Sequence, residues 1–549
     1  MKRYFRKLIL VALSASILSG CATVPDKSSS LSQAETAESA ESGEQTDKPV
    51  FYDEASPQEY YIFETDVSMK LNAEGGVFDS AVRTDGSYDG NGYVLLENEA
   101  TLVHIAEIPS TQHYRILIAA FSYDGAAISL SAGKTNIGTY YIPPSEEAEF
   151  TLFSVDNLYF ESNPVMLTLQ MISGNAAIDY ILIEDSKPVS DNCYNTRSRV
   201  VGKNTGMHTI STMKYMSDIY GERILTAQNV TPGTNAEIDA VFDVTGRYPA
   251  IRCGDLIYSS TNADEEYEET AEKEIELALE WGRNNGIVSF GWHWYSPHKY
   301  GSHYYTELTL FELSNAVTER ELIGATPEEL KSLYENETIT EDCYLLIQDI
   351  DNIAKQLLRF KDEEITVLWQ PLPDGETDLY WWGGSADEYK WLWRFMFDRM
   401  NTYHKLNNLI WVWNGSSEEF YPGDYYCDII GQGMFLGSDA SYASRFAALS
   451  GLPDAQAKPM AITACDVSPS PDNMYRDNSM WLWTSIQSGG YIINYDGSYT
   501  EAYTDKEMLN AMYNAKLTVT RDELPDMYNY ALKIDETVEA TTNETAQTD

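Results

Sequence analysis

Between residues 200 and 530 the chain alternates short apolar runs with helical patterns, and this alternation constrains its fold more than any other feature. Eight runs stand out: Arg223–Val230, Tyr248–Leu256, Gly286–Trp294, Ile365–Leu372, Asn408–Asn414, Cys427–Phe435, Pro459–Asp466 and Gly490–Tyr495. Most are continuously apolar, as strands buried on both faces of a parallel sheet are. Leu346, Ile350, Ile353 and Leu357 recur on one helix face between two of the runs. Tyr389, Leu392, Trp393, Met396, Phe397 and Met400 do so again, behind Ser385-x-x-Glu388, which has the form of a capping box. Eight strand–helix units in about 300 residues predict an α/β (β/α)8 TIM barrel over 200–530. Residues 296–344 read as a long insertion after the third strand, with a capped turn at Thr326-Pro327-Glu328-Glu329.

The chain upstream has a different character. Residues 58–186 show short alternating segments, such as Tyr114–Ala120, Ala127–Ser131 and Val165–Gln170, broken by Gly, Asn, Asp and Ser turns. They predict an all-β sandwich of jelly-roll type. All 12 Trp lie at or beyond Trp281, so the two bodies are built for different tasks.

The ends are simpler. Residues 1–20 have a basic start, the apolar run Leu8–Leu18 and then small residues, as a secretory signal does. The run is too short to span a bilayer. Leu18-Ser19-Gly20-Cys21 resembles the lipobox of bacterial lipoproteins, with Cys21 as the lipidated residue that would anchor the chain to the outer face of a membrane. Residues 21–57 form an acidic Ser/Glu-rich tether, and 535–549 a tail of similar composition.

Charge narrows the partners. The 549 residues carry a net charge of −48, which becomes −52 without Lys2, Arg3, Arg6 and Lys7 of the leader. Phosphate neutralisation needs basic surface, which argues against nucleic acid and disfavours other polyanions. An acidic, aromatic-rich chain with 39 Tyr suits a neutral ligand with flat apolar faces, such as a sugar. Cys193, Cys253, Cys343, Cys427 and Cys465 are scattered without CxxC spacing, which argues against a disulfide framework or a zinc site. His293, His298 and His303 are five apart and share no helix face.

Barrel chemistry gathers at the C-terminal ends of the strands. Those ends carry Asp255, Trp292-His293-Trp294, Asp374 with Glu376, Trp381-Trp382, Asn414, Asp466 and Asn494-Tyr495. Acids among aromatics fit a polysaccharide cleft, because Trp faces stack on sugar rings and paired carboxyls cut glycosidic bonds. Taken singly, each aromatic is as readily barrel packing as a ligand platform.

Several motifs together resemble glycoside hydrolase family 26. They are Gly291-Trp292-His293-Trp294-Tyr295-Ser296-Pro297, Trp369-Gln370-Pro371-Leu372 with Tyr380-Trp381-Trp382-Gly383, Asn408-Leu409-Ile410-Trp411-Val412-Trp413, Tyr421-Pro422-Gly423-Asp424, Asp428-Ile429-Ile430-Gly431 and Thr520-Arg521-Asp522-Glu523-Leu524-Pro525. The resemblance covers about 204–528 and implies a retaining β-1,4-mannanase barrel without a cofactor, acting as a monomer on β-mannan or a related neutral polysaccharide. His293 resembles the family's sugar-contacting histidine and Asp255 its second-strand acid, and Trp292, Trp294, Trp381, Trp382, Asn414 and Phe435 are further candidate sugar contacts at the rim. Upstream, Phe63-Glu64-Thr65-Asp66, Gly86 to Gly92-Tyr93-Val94 and Ile178-Asp179-Tyr180-Ile181 resemble carbohydrate-binding modules of the family 35 and family 6 type. That resemblance implies a structural Ca²⁺ held by Glu64, Asp66 and Asp179, whose hard oxygens suit the ion.

The departures bear on activity. The family's Arg-Pro-x-His-Glu run, whose Glu is the acid/base, aligns with Gln370-Pro371-Leu372-Pro373-Asp374. The nucleophile position, counted from Lys458-Pro459, holds Ala464, and the Tyr that would contact the nucleophile is Phe435. Asp is one methylene shorter than Glu, a withdrawal of roughly 1 Å that can cost about a hundredfold in rate. Strand alternation would put Asp466 on the face of Ala464, about 6–7 Å further out. It is therefore the candidate relocated nucleophile, with Glu376 as a second acid. The expectation is a glycan-binding surface lipoprotein with lost or weak hydrolysis. The alternatives are an active mannanase using Asp374 and Asp466, and a lipoprotein that adheres to something other than glycan.

Overall fold

The protein is described here by a computed structural model covering residues 67–79, 81–83, 92–145, 149–263, 265–298, 302–453 and 457–530. The leader, Cys21, the tether, Glu64, Asp66 and the 535–549 tail lie outside these residues.

The upstream body is two packed antiparallel sheets. One joins β3 (Ala81–Arg83), β4 (Tyr93–Leu96), β11 (Ala176–Asp185), β6 (Gln112–Phe121) and β9 (Thr151–Phe160), with β1 (Ser68–Asn72) also on β11. The other joins β2 (Val77–Phe78), β5 (Thr101–Glu107), β10 (Pro164–Ser173), β7 (Ala126–Ala132) and β8 (Thr135–Ile142). Ile116, Ile118, Leu130, Leu167, Leu169 and Ile181 alternate inward and fill the space between the sheets.

The second body is a closed ring of eight parallel strands. In order they are β12 (Ile224–Asn229), β13 (Ile251–Asp255), β14 (Ile287–Trp292), β15 (Val367–Pro371), β16 (Leu409–Asn414), β17 (Ile429–Met434), β18 (Met460–Cys465) and β19 (Trp483–Ile486). The β12–β13 pairing closes the ring, and the short β20 (Thr518–Val519) lies against β12 from outside. Seven of the eight predicted runs contain a ring strand, and the eighth does not. Gly490–Tyr495 is a turn and hairpin, whereas Trp483–Ile486 closes the barrel. Four residues are too few to show alternation, and Trp481 and Trp483 read equally well as helix packing.

Nine of the 12 Trp are almost completely buried, all in this body. The Trp surplus is therefore largely core, each such side chain contributing about 1.5–3 kcal/mol on burial. The predicted helix faces are buried, Leu346, Ile350, Ile353 and Leu357 among them. Ser385 makes no side-chain cap bond, so that predicted capping box does not form. The one at Thr326 does, with Glu329 bonded back to the Thr326 amide at 2.8 Å. Arg399, fully buried, ties the long insertion down. It grips Asp351 twice at 2.6 Å and donates to the carbonyls of Leu322, Ile323 and Ala325.

The two bodies touch through charge and aromatic faces. His113 meets Asp477 at 3.1 Å, and the Arg476 guanidinium lies 4.0 Å from the Tyr159 ring centre. Asn478 donates to the Val189 carbonyl in the connecting segment at 2.7 Å.

Candidate active site

The carboxyl end of β15 is held in an unusual conformation. Leu372 and Asp374, on either side of Pro373, both take left-handed backbone angles (φ 53° and 52°). For non-glycine residues this costs about 1–3 kcal/mol each, and it persists only where neighbours enforce it. Tyr389 Oη donates to the Leu372 carbonyl at 2.9 Å, and Trp382 Nε1 to the Pro373 carbonyl at 2.9 Å. The Thr377 amide and hydroxyl both donate to the Asp374 carbonyl, and the Asp374 amide donates to Asn414 of β16 at 3.2 Å. Gly375 is required next, since a Cβ there would run into the Tyr389 ring. The turn thus fixes Asp374 at the barrel mouth.

Its surroundings alter its acidity. Burial, then the Glu376 carboxylate, push Asp374 up to about 7, against the opposing pull of His293. Glu376 is also raised by burial, although its Oε1 accepts both the amide and the hydroxyl of Ser416 at 2.9 Å. Across the strand gap, Asp255 at the end of β13 receives His293 Nδ1 at 2.6 Å and the His293 amide at 3.1 Å. Asp255 also accepts the Ile257 amide, so its oxygens orient His293 rather than stand open to a ligand. Burial opposes charge on His293, but the Asp255 carboxylate and then Asp374 outweigh it and raise its pKa. A chain of acid, imidazole and acid therefore lies at the mouth, with about a third of the His293 side chain exposed.

The end of β18 is different. Ala464, where the resemblance expects a nucleophile, is half-buried, pairs with Gly433 of β17 and offers no ionisable group. Asp466 is buried, and both its oxygens are engaged. Oδ2 accepts the Gly437 amide at 2.9 Å and Oδ1 the Val467 amide at 2.8 Å. In this arrangement Asp466 anchors the loop that follows β17. The alternation that predicted otherwise is broken by a register shift between β17 and β18 just before this point.

The tryptophans are corrected as well. Trp292, Trp294 and Trp382 are fully buried and Trp381 nearly so, and none offers a face to a ligand. Trp292 stacks on Trp294 at 4.0 Å, and the four indole N–H groups donate to Ser260, Asp349, the Trp294 carbonyl and the Pro373 carbonyl. They are the backing of the site. The accessible rings in front of them are Tyr304 and Tyr305 of the insertion, with Tyr305 stacked on Tyr380 at 5.8 Å and Tyr380 on Trp382 at 4.6 Å. On the β17–β19 side stand half-buried Phe435 and Tyr491, 5.7 Å apart. The doubled Tyr304-Tyr305 was the available signal for the first wall. Asn414 donates to Gln370 at 3.0 Å, and its own Oδ1 takes no hydrogen bond, nor do Gln432 Oε1 and Glu376 Oε2.

Among the described residues no group of three or more His, Cys, Asp or Glu is placed to hold a metal ion. Asp179 is buried at a bulge of β11, and its two proposed calcium partners fall outside the described residues. The five cysteines of the described residues are buried and free. No helix among them is long and apolar enough to cross a membrane.

A closed eight-stranded parallel barrel with acids and aromatics at its carboxyl mouth is an architecture that glycoside hydrolases share with many other enzymes. Residues 201–523 match Glycosyl hydrolase family 26, and the chain belongs to that family. It is 27% identical over 454 residues to a mannan endo-1,4-beta-mannosidase of Thermothelomyces thermophilus, covering 80% of this chain and 86% of the relative. A Piromyces mannan endo-1,4-beta-mannosidase B is 26% identical, with 85% and 79% covered. In fold the chain is similar to a Podospora anserina GH26-CBM35 beta-(1,4)-mannanase, with a TM-score of 0.55 at 24% identity, covering 84% of this chain and all of that one. A ruminal GH26 endo-beta-1,4-mannanase gives a TM-score of 0.57 at 19% identity, covering 84% and 99%.

Proposed function

We propose that the protein is an extracellular lipoprotein, anchored through Cys21, that captures β-mannan or a related neutral polysaccharide at the barrel mouth, with hydrolysis lost or strongly weakened. The observation that carries this reading is the contrast of Ala464 with Asp374. A double displacement needs two carboxyls about 5–5.5 Å apart. Here the acid side keeps a carboxyl with a raised pKa, the nucleophile side has a methyl group, and the nearest acid along β18 is tied to two amides. Tyrosine faces and acceptor oxygens at the mouth suit a polyhydroxylated ligand, which has apolar ring faces and hydroxyl donors. The upstream sandwich is proposed as a second glycan-binding body, with a calcium ion on Glu64, Asp66 and Asp179.

The test uses the chain from residue 22 onward with soluble galactomannan and glucomannan. Retarded mobility in affinity gels without new reducing ends is expected. Turnover that vanishes in Asp374→Ala would support the active-mannanase alternative, which the names of the relatives favour. Unchanged mobility across a panel of neutral polysaccharides would sink glycan capture. For the calcium ion, chelation is expected to lower the Tm of the sandwich, and Asp179→Asn to abolish that response.

A further inference from the structure

The loop leaving β19 at the barrel mouth carries an aromatic that packing does not explain. After the buried Ile492 the chain folds back as a tight hairpin. Ile493 bridges Tyr499, the Asn494 amide donates to the Ser498 carbonyl at 2.7 Å, and Thr500 returns to Ile492 at 3.0 Å. The tip is braced from inside. Asp496 accepts the Ser498 amide and hydroxyl at 3.1 and 2.6 Å, Gly497 supplies the left-handed turn residue at φ 82°, and Tyr499 Oη is fixed to the Thr504 carbonyl at 2.8 Å. At this ordered tip Tyr495 has a relative exposure of 110%, so its ring rests on nothing.

A single exposed ring is unremarkable on most surfaces. This one stands on the same loop as a line of aromatics leading out of the mouth. Phe435 at the end of β17 meets Tyr491 at 5.7 Å, and Tyr491 meets Tyr503 at 4.8 Å, with Tyr503 already 42% exposed. The hairpin carries Tyr495 two residues, about 6–7 Å, beyond its last bridge. A rigid backbone holding an amphipathic ring at low entropy cost is an efficient contact for a flat apolar face.

We propose that this hairpin forms a distal sugar subsite, with Tyr495 as its stacking platform and the Tyr491–Tyr503 edge as the track from the mouth. The proposal rests on the glycan-capture reading and adds that the cleft recognises chain length, engaging a pyranose several units from Asp374.

The experiment is calorimetric titration of the chain from residue 22 onward with β-1,4-manno-oligosaccharides of about three and six units. Tyr495→Ala is expected to weaken hexasaccharide binding about five- to tenfold, as loss of one stacked ring does, and to leave the trisaccharide unchanged. Tyr495→Trp is expected to restore or exceed the original affinity. Because the ring packs against nothing, neither change threatens folding. Equal hexasaccharide affinity in wild type and Tyr495→Ala overturns the subsite while leaving glycan capture standing. Equal loss on both lengths also overturns it. Wild-type protein that binds neither oligosaccharide overturns the subsite together with the reading beneath it.

Discussion

The ends of β15 and β18 both open onto the mouth of one barrel, yet they are built in opposite ways. At β15 the backbone keeps a strained turn, and four hydrogen bonds from Tyr389, Trp382 and Thr377 force its carbonyls into place. That strain is retained around an acid whose pKa is raised to about 7. The end of β18 carries Ala464, and Asp466 two residues on is part of the loop framework. Burial raises both acids, but Asp374 stands in a strained turn beside a second carboxylate, whereas Asp466 is held by two backbone amides that oppose its shift.

The contrast can be broken most sharply by placing a glutamate at both ends. Asp374→Glu combined with Ala464→Glu is expected to raise reducing-end release from mannan at least about a hundredfold above either single variant, because both carboxyls must reach the same bond. Single variants as active as the double would show that a second carboxyl is already supplied elsewhere.

The next effect concerns stability and pH. A carboxyl with a raised folded pKa is neutral in both states below about pH 4 and costs stability once the unfolded chain can ionise while the folded site still holds its proton. The penalty grows as pH rises from about 4 to about 7 and then levels off. Asp374→Asn should therefore stabilise the protein at pH 8, by up to about 4 kcal/mol on a three-unit shift, and change little at pH 4. Urea denaturation at the two pH values measures this, and equal changes at both would show that the Asp374 environment does not disfavour its charge.

A smaller effect is expected at the other end. Asp466→Ala leaves the Gly437 and Val467 amides without their acceptor and should cost about 2 kcal/mol in urea denaturation while leaving mannan mobility in affinity gels unchanged. Loss of binding without loss of stability would return Asp466 to the cleft. The smallest effect separates the two helix starts. Thr326→Ala should cost about 1 kcal/mol, and Ser385→Ala almost nothing, since only the first makes its cap bonds.

Much of the barrel was legible because buried parallel strands must be apolar on both faces, so Val367–Pro371 or Leu409–Asn414 announce themselves. The places of Asp374 and Ala464 at strand ends were legible too, since motif spacing fixes position along a strand. The last strand was not, because Trp483–Ile486 is short and flanked by apolar residues that serve neighbouring packing. Nor was the fate of the aromatics, since Trp292 and Tyr304 look alike as candidates for a sugar platform.

By itself the sequence determined the alternating architecture, the strongly acidic charge, and the residue types at each strand end, because these depend on identity and spacing alone. Only the tertiary structure decided which aromatics are backing and which are faces, that Asp466 turns to its own loop, and that Asp374 sits in a strained turn beside Glu376 and His293. Those outcomes depend on which groups are brought near one another across the barrel, and a register shift or a buried ring changes them without leaving a mark on local sequence.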